Sequence, residues 1–94
     1  PKFPAVSRDL ALVCDENLPV AKLDHAIRSG AGALLEKVKL FDIYRGKQIE
    51  GGKKSVAFSV TLRSADNTLT DEHVSSVMKK VIRELEKAGA TLRL

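Results

Sequence analysis

The strictest pattern in the chain is the alternation of apolar with small or polar residues over residues 54–63. Every second residue is apolar: Val56, Phe58, Val60 and Leu62. The residues between them are small or polar: Ser55, Ala57, Ser59, Thr61 and Arg63. Because successive side chains of a β-strand point to opposite faces, this segment predicts a strand with one dry and one solvated face. The chain is therefore expected to build a sheet that is covered on one side and open on the other.

The other segments repeat with the periods of strands and helices, in the order βαββαβ. They predict further strands over residues 6–14, 34–45 and 90–94 and helices over residues 19–29 and 71–88. Residues 1–5 contain two prolines and predict an extended lead-in. The order predicts an α+β, ferredoxin-like sandwich, in which two helices lie on one face of a four-stranded antiparallel sheet. The first and third strands are the most apolar and are expected at its centre.

Each predicted helix has an apolar stripe and recognisable ends. The stripes comprise Val20, Leu23, Ala26 and Ile27 in the first helix, and Val74, Val77, Met78, Val81, Leu85 and Ala88 in the second. Pro19 suits the first turn of the first helix, and Gly30 and Gly32 are expected to end it. Thr70 predicts the N-cap of the second helix, and Gly89 predicts its end.

The strand over residues 34–45 does not keep a single phase, because its apolar residues change sides: first Val38 and Leu40, then Phe41 and Ile43. We expect a β-bulge near Lys39–Leu40 that brings Val38 to the core side together with residues 41 and 43. Without a bulge, Asp42 would be half-buried, which is unfavourable for a carboxylate that lacks partners.

The bulk composition limits the function of the chain. Its 94 residues suffice for one domain, and because the sequence begins without Met, we interpret residues 1–94 as a domain of a longer protein. The net charge of +4 favours an anionic partner. No apolar run approaches the roughly 20 residues that span a bilayer, so no membrane partner is predicted. The single cysteine, Cys14, has no partner for an internal disulfide, which suits a reducing compartment such as the cytoplasm.

Residues that carry catalysis or hold metals form no recognisable arrangement in the sequence. His25, His73 and Cys14 lie on different predicted elements, without the spacing of metal ligands. The position of Cys14 in a strand predicts a buried apolar side chain rather than a nucleophile. Residues 51–54 combine Gly with Lys but precede a strand, whereas a Walker phosphate loop precedes a helix. We therefore predict no catalytic residue and no metal ligand in this domain.

One polar cluster is predicted where the second and third strands meet in a hairpin. Three glycines able to adopt positive φ supply its turn: Gly46, Gly51 and Gly52. Asp42 and Tyr44 are expected on the open face of the sheet, with Ser55 beside Tyr44. Basic residues are expected to gather at this end: Arg8, Arg45, Lys47, Lys53 and Lys54. The cluster suits an unpaired nucleotide, whose base stacks on an aromatic ring and whose phosphates attract cations. The alternative is an ordinary solvated strand end.

Four stretches of the chain, taken together, resemble a known family. They are Phe3–Leu10, Phe41–Gly46, Gly52–Phe58 and Thr68–Glu72. In combination they resemble the C-terminal ferredoxin-fold anticodon-binding domain of bacterial phenylalanyl-tRNA synthetase β subunits, over the whole of residues 1–94. The resemblance implies a domain that binds the anticodon loop of tRNA(Phe) and carries no catalysis of its own.

The resemblance also implies partners and residue roles. The parent enzyme would be an α2β2 ligase that uses ATP and Mg²⁺ to attach phenylalanine to tRNA(Phe), with amino-acid activation on the α subunit. Tyr44 matches the aromatic residue that stacks on the first anticodon base, a guanine. Asp42 matches the acidic residue that accepts hydrogen bonds from the edge of that guanine, and Ser55 matches a nearby polar contact. On charge alone, we extend the expected RNA contacts to three basic residues: Arg8, Arg45 and Lys54.

Two other functions occur on this topology and serve as alternatives. A small acylphosphatase-like hydrolase needs a phosphate-cradling loop after the first strand, with an Arg and an Asn. That loop is acidic in this chain and contains no Gly or Arg between residues 15 and 19. The second alternative is a ligand-sensing regulatory domain that dimerises through its sheet edges.

Overall fold

The computed structural model describes residues 3–93, so the first two residues of the predicted lead-in and the terminal Leu94 lie outside it. The order of its elements is βαββαβ, as predicted. The elements are β1 (Val6–Asp15), α1 (Val20–Ala31), β2 (Leu35–Tyr44), β3 (Lys53–Leu62), α2 (Asp71–Ala88) and β4 (Thr91–Leu92), with a short 3₁₀ turn at Gly32–Leu34. Neither helix in this part of the chain combines the length and the apolar character needed to cross a membrane.

The four strands form one antiparallel sheet in the spatial order β2-β3-β1-β4. The prediction that the first and third strands are central is therefore confirmed. β1 and β3 pair along ten consecutive residues, from Val6 opposite Leu62 to Asp15 opposite Lys53. β4 is only two residues long and pairs with Leu12 and Val13 in the C-terminal half of β1. The ferredoxin-like α+β architecture follows from this order.

The core lies between the helices and one face of the two central strands. The alternate apolar residues of β3 are almost fully buried: Val56, Phe58, Val60 and Leu62. Leu10, Leu12 and Cys14 of β1 lie on the same side and are also buried. The predicted stripes of both helices complete this cluster, with Val20 and Ala88 partly buried at its margin. Each large side chain buried in this way contributes about 1.5–3 kcal/mol relative to an exposed one.

The ends of α2 agree with the sequence, and in α1 the prediction for Gly32 is confirmed, because Gly32 is the C-cap with φ of 63°, whereas that for Gly30 is wrong. The Thr70 hydroxyl accepts a hydrogen bond from the His73 amide at 3.1 Å, and Gly89 ends α2 in the left-handed conformation with φ of 105°. α1 begins after Pro19, which is its N-cap, and continues through Gly30 to Ala31. Gly30 does not end the helix because it is a packing position. A Cβ atom at Gly30 would lie 2.6 Å from the Val81 Cα of α2.

The expected bulge in β2 exists, but it lies at Phe41, and a second irregularity lies at Glu36. Phe41 is the unpaired residue of the first bulge and is 51% exposed, so its predicted place in the core is wrong. Ile43 points to the core face opposite Val56 but remains 37% exposed. The physical reason is that β2 is an outer strand, shielded by a neighbour on one side only. The prediction that Asp42 faces the open side is confirmed by its pairing register with β3.

Candidate nucleic-acid interface

The hairpin between β2 and β3 closes through two consecutive tight turns. The Ile49 amide donates to the Gly46 carbonyl at 3.0 Å, and the Lys53 amide donates to the Glu50 carbonyl at 3.1 Å. Ile49, between these two turns, is buried. Of the three turn glycines, only Gly52 has a positive φ, of 83°, so the expectation of positive φ for the other two is wrong.

Gly46 is required for a different reason, because the Tyr44 ring lies against it. A Cβ atom at Gly46 would overlap the Tyr44 hydroxyl group and lie 2.5 Å from the Cζ atom of the ring. The loop backbone therefore supports the tip of the ring. Tyr44 remains 38% exposed, so part of the ring is available to a ligand. A supported and partly exposed aromatic ring is a suitable stacking platform for a base.

The three residues predicted to read a base are brought together at this end of the open face. Tyr44 lies directly opposite Ser55, and Asp42 lies one step along the strand, opposite Ala57. The small side chain of Ala57 leaves space beside the Asp42 carboxylate, which is exposed. Ser55 differs from expectation in one respect, since it is only 4% exposed rather than on a solvated surface.

The side chain of Arg93, just after β4, covers Ser55. Arg93 was not among the site residues predicted from the sequence. Its guanidinium donates to the Ser55 hydroxyl at 3.3 Å and to the Gln48 side-chain oxygen at 3.4 Å. Its Cζ atom lies 5.7 Å from the centroid of the Tyr44 ring, within the range of a cation–π interaction. The alternation of side chains along the last strand could have indicated this position of Arg93. Leu92 pairs with Leu12 on the core face, so Arg93, the residue after it, must face the open side.

The basic residues expected at the hairpin do not act as one group. Arg45 is paired with Glu16 at 2.6 Å, and it stays at the hairpin end. Lys54 points to the core side and is 6% exposed, with its ammonium group donating to the Leu18 carbonyl at 2.8 Å. Arg8 pairs with Val60 near the other end of β1, so the prediction that it gathers at the hairpin is wrong.

Two comparisons with known proteins identify the family of the chain. Residues 1–93 match the family of ferredoxin-fold anticodon-binding domains. The chain belongs to this family. It is 50% identical over 94 residues to the phenylalanine–tRNA ligase β subunit of Halalkalibacterium halodurans, and 51% identical over 94 residues to that of Clostridium tetani. In both alignments the match covers 99% of this chain and 12% of the relative. The same subunit of Methylococcus capsulatus is 47% identical over 93 residues, which are 98% of this chain and 12% of that relative.

Two side chains of this anticodon-binding domain have raised pKa values, Cys14 in the core and Lys53 at the hairpin end of the sheet. Burial raises the pKa of the Cys14 thiol, and the nearby Lys54 ammonium offsets only part of that effect. Cys14 is thus a buried apolar side chain, as predicted. At the rim, the hydrogen bond and charge of Asp15 raise the pKa of Lys53. Within residues 3–93, every buried side-chain nitrogen and oxygen has a hydrogen-bond partner.

Chemically, the open face of the anticodon-binding domain presents a stacking ring, an acceptor and a donor within one small area. The Tyr44 ring offers a π face, the Asp42 carboxylate accepts hydrogen bonds, and the Arg93 guanidinium donates them. Such a combination has the chemistry needed to bind a flat heterocycle with polar edges. Groups of three or more His, Cys, Asp or Glu residues that would hold a metal ion are not found between residues 3 and 93.

Proposed function

We propose that this chain is the anticodon-binding domain of a phenylalanine–tRNA ligase β subunit and that it recognises the anticodon of tRNA(Phe). The observation that carries the proposal is the supported Tyr44 ring on the open face, in direct register with Ser55. The names of the similar proteins and the family description support the same function.

In the proposed mechanism, the first anticodon base leaves the loop and stacks on Tyr44, which contributes about 1–3 kcal/mol. Asp42 accepts hydrogen bonds from N1–H and the N2 amino group of guanine, whereas a cytosine presents no such pair of donors. Arg93 keeps Ser55 and the ring in place and adds a donor beside them. Arg45 stays among the proposed RNA contacts, as a residue that binds the RNA backbone. Arg8 and Lys54 are removed from the proposed RNA contacts, because Arg8 lies away from the hairpin and the Lys54 side chain points to the core side.

The parent protein, in this proposal, is a cytoplasmic ligase that assembles with an α subunit as an α2β2 heterotetramer. It uses ATP and Mg²⁺ to attach phenylalanine to tRNA(Phe), and the chemical step takes place outside this domain. The domain contributes binding energy and selectivity for the tRNA. The chain spans about 12% of the length of the relatives that it matches, so these properties belong to the proposal.

The test is a titration of the 94-residue chain with two anticodon stem-loops that carry either guanine or cytosine at the first anticodon position. We expect tighter binding of the guanine loop. Tyr44→Ala should weaken that binding by about 1–3 kcal/mol, the energy of the lost stack. Phe41→Ala is the matched control, because it removes an exposed aromatic ring from the same strand at the unpaired bulge position.

Asp42→Asn separates base reading from stacking. This variant keeps the shape of the side chain but exchanges one acceptor oxygen for a donor, so discrimination between guanine and cytosine should fall while some affinity remains. Equal losses from Tyr44→Ala and Phe41→Ala would contradict the proposed site. Binding that ignores both the base and Tyr44 would reduce the interface to general attraction of phosphates.

Neither alternative gains support from the structure. At the end of β1, Asp15 and Glu16 form ion pairs with Lys53 and Arg45. These carboxylates hold the cations that an acyl phosphate would need at this loop. We see no feature of the described residues that favours a ligand-sensing regulatory domain.

A further inference from the structure

The open face continues from Tyr44 along β2 to two lysines. The register of the sheet pairs Lys39 with Ser59 and Lys37 with Thr61. Measured along β3, the Lys39 position lies four residues from that of Tyr44, about 13 Å away at the rise of a strand, and the Lys37 position lies about 20 Å away. The two lysines therefore lie in line with the base-reading residues on one strand.

The bulge at Phe41 creates this alignment. In an unbroken strand, Lys39 and Asp42 are three residues apart and point to opposite faces. Because Phe41 is left out of the pairing, both residues face the open side of the sheet. β-Bulges commonly redirect side chains in this way next to functional sites. Without the bulge, the lysines and the base-reading residues would lie on different faces.

Lys37 and Lys39 also differ from the cations at the hairpin. Arg45 and Lys53 are each held by a carboxylate at the end of β1, from Glu16 and Asp15 respectively. Within residues 3–93, neither Lys37 nor Lys39 has a hydrogen-bond or ion-pair partner, and both are exposed. On this face, Asp42 lies two positions from Lys39 in the register of β3, and Asp9 lies in the same row as Lys39 but two strands away. Neither carboxylate forms an ion pair with Lys37 or Lys39. Their charge is thus available to an anion.

The floor between the lysines and β1 is made of small or hydroxyl side chains. Ala57 and Ser59 of β3 contribute to it, and the Ser7 and Thr61 hydroxyls form a hydrogen bond of 3.1 Å across the sheet. Ala57, Ser59 and Thr61, the β3 residues that pair along this part of the face, offer no aromatic ring for a second base to stack on. A strand that crosses this floor would be held through its phosphates rather than its bases.

We propose that Lys37 and Lys39 bind phosphates of the single-stranded RNA next to the base on Tyr44, so that the open face of β2 is a track for the RNA backbone. This inference rests on the proposed function and extends its site by several nucleotides. The observations behind it are the shared face, the unpaired charges and the continuity with Tyr44. The contacts are independent of sequence, unlike those of Asp42.

Lysines on an outer strand have another common role, since they prevent edge-to-edge pairing of sheets. That role predicts aggregation of variants without these charges but no change in the salt dependence of RNA binding. Phosphate binding predicts the reverse, because each neutralised phosphate releases counterions. The salt dependence therefore separates the two roles.

The experiment measures affinity of the 94-residue chain for a fluorescent anticodon stem-loop of tRNA(Phe) between 0.05 and 0.2 M salt. The variant is Lys37→Gln combined with Lys39→Gln. The matched control, Lys79→Gln with Lys80→Gln, makes the same charge change on exposed positions of α2. Two lost contacts should reduce the slope of log K against log salt by about 1.4, at about 0.7 per single-strand phosphate. The affinity advantage of the parent chain over the β2 variant should then shrink about sevenfold across this range.

Each outcome decides between the possibilities. A reduced slope for the β2 variant alone supports the track. Equal slopes for the parent and the β2 variant overturn the track, and if Tyr44→Ala still weakens binding, the proposed function stands without it. Equal losses from the β2 and α2 variants show general attraction and also overturn the track. Failure of the parent chain to bind either stem-loop overturns the proposed function and the track with it.

Discussion

The neighbouring strands β2 and β3 have the same length but follow different rules. In β3, apolar residues alternate with small or polar ones without interruption, and Val56, Phe58, Val60 and Leu62 are each at most 1% exposed. β2 breaks its register twice and leaves three apolar side chains exposed: Leu40, Phe41 and Ile43. β3 lies between two strands, whereas β2 has a free edge. The regular strand supports the fold, and the irregular one presents the residues proposed to bind RNA.

The difference shows how a small domain accommodates a binding surface. A central strand must satisfy its neighbours on both sides, so any slip would bury polar groups without partners. An outer strand is held on one side only and tolerates an extra residue. The bulge at Phe41 therefore costs little stability and determines which side chains share the open face with Tyr44.

The largest expected contrast is between the two phenylalanines of these strands. Phe58→Ala removes a ring that is 1% exposed and should lower the free energy of unfolding by about 3–5 kcal/mol. Phe41→Ala removes a ring that is half exposed and should cost less than about 1 kcal/mol. Urea unfolding of both variants measures the difference. Similar losses would mean that β2 belongs to the core and that the contrast between the strands is wrong.

A smaller effect is expected at the hairpin glycines, and it should appear in binding rather than in stability. Gly46→Ala places a methyl group against the Tyr44 hydroxyl and should displace the ring, with a loss of RNA affinity within the 1–3 kcal/mol of a base stack. Gly51→Ala is the control, because a Cβ atom there meets nothing within 4 Å and its φ is not positive. Full affinity of the Gly46→Ala variant would show that the position of the ring does not depend on the loop.

The mildest test compares the reactivity of a thiol in the core with that of a thiol on the exposed edge strand β2. Burial raises the pKa of the Cys14 thiol, so that the folded chain keeps this group protonated to a higher pH than an exposed cysteine. Because the thiolate is the reactive form, Cys14 should react slowly with a thiol reagent at pH 8. A cysteine at the exposed edge, introduced as Ile43→Cys in a Cys14→Ala chain, should react much faster. Equal rates would show that the core near Cys14 opens as readily as the edge of β2.

Local patterns were sufficient for the elements that are governed by short-range physics. The bounds of α2 were predicted to the residue, because Thr70 and Gly89 act within one turn of the helix ends. The faces of β3 followed from alternation alone. The pairing of Tyr44 with Ser55 followed from the hairpin, since both residues are close to the same turn.

Contacts between distant parts of the chain could not be predicted in the same way. Gly30 resembles a helix end in sequence, but it is a packing position because the α2 backbone passes beside it. Lys54 resembles a surface cation, but its ammonium group meets a carbonyl of another loop. Arg93 is 38 residues from Ser55 and reaches it only because β4 adds to the edge of β1.

By itself, the sequence determined the order of elements, the covered and open faces of β3, and the candidacy of Asp42, Tyr44 and Ser55. Those properties depend on side-chain period, capping and turn chemistry, which act between residues close in the chain. The tertiary structure decided the position of the bulge, the support of Tyr44 by Gly46 and the arrival of Arg93 on the open face. These features depend on which strand lies at the edge of the sheet and which backbone segment packs against each side chain. Both are determined only when segments distant in the sequence pack together.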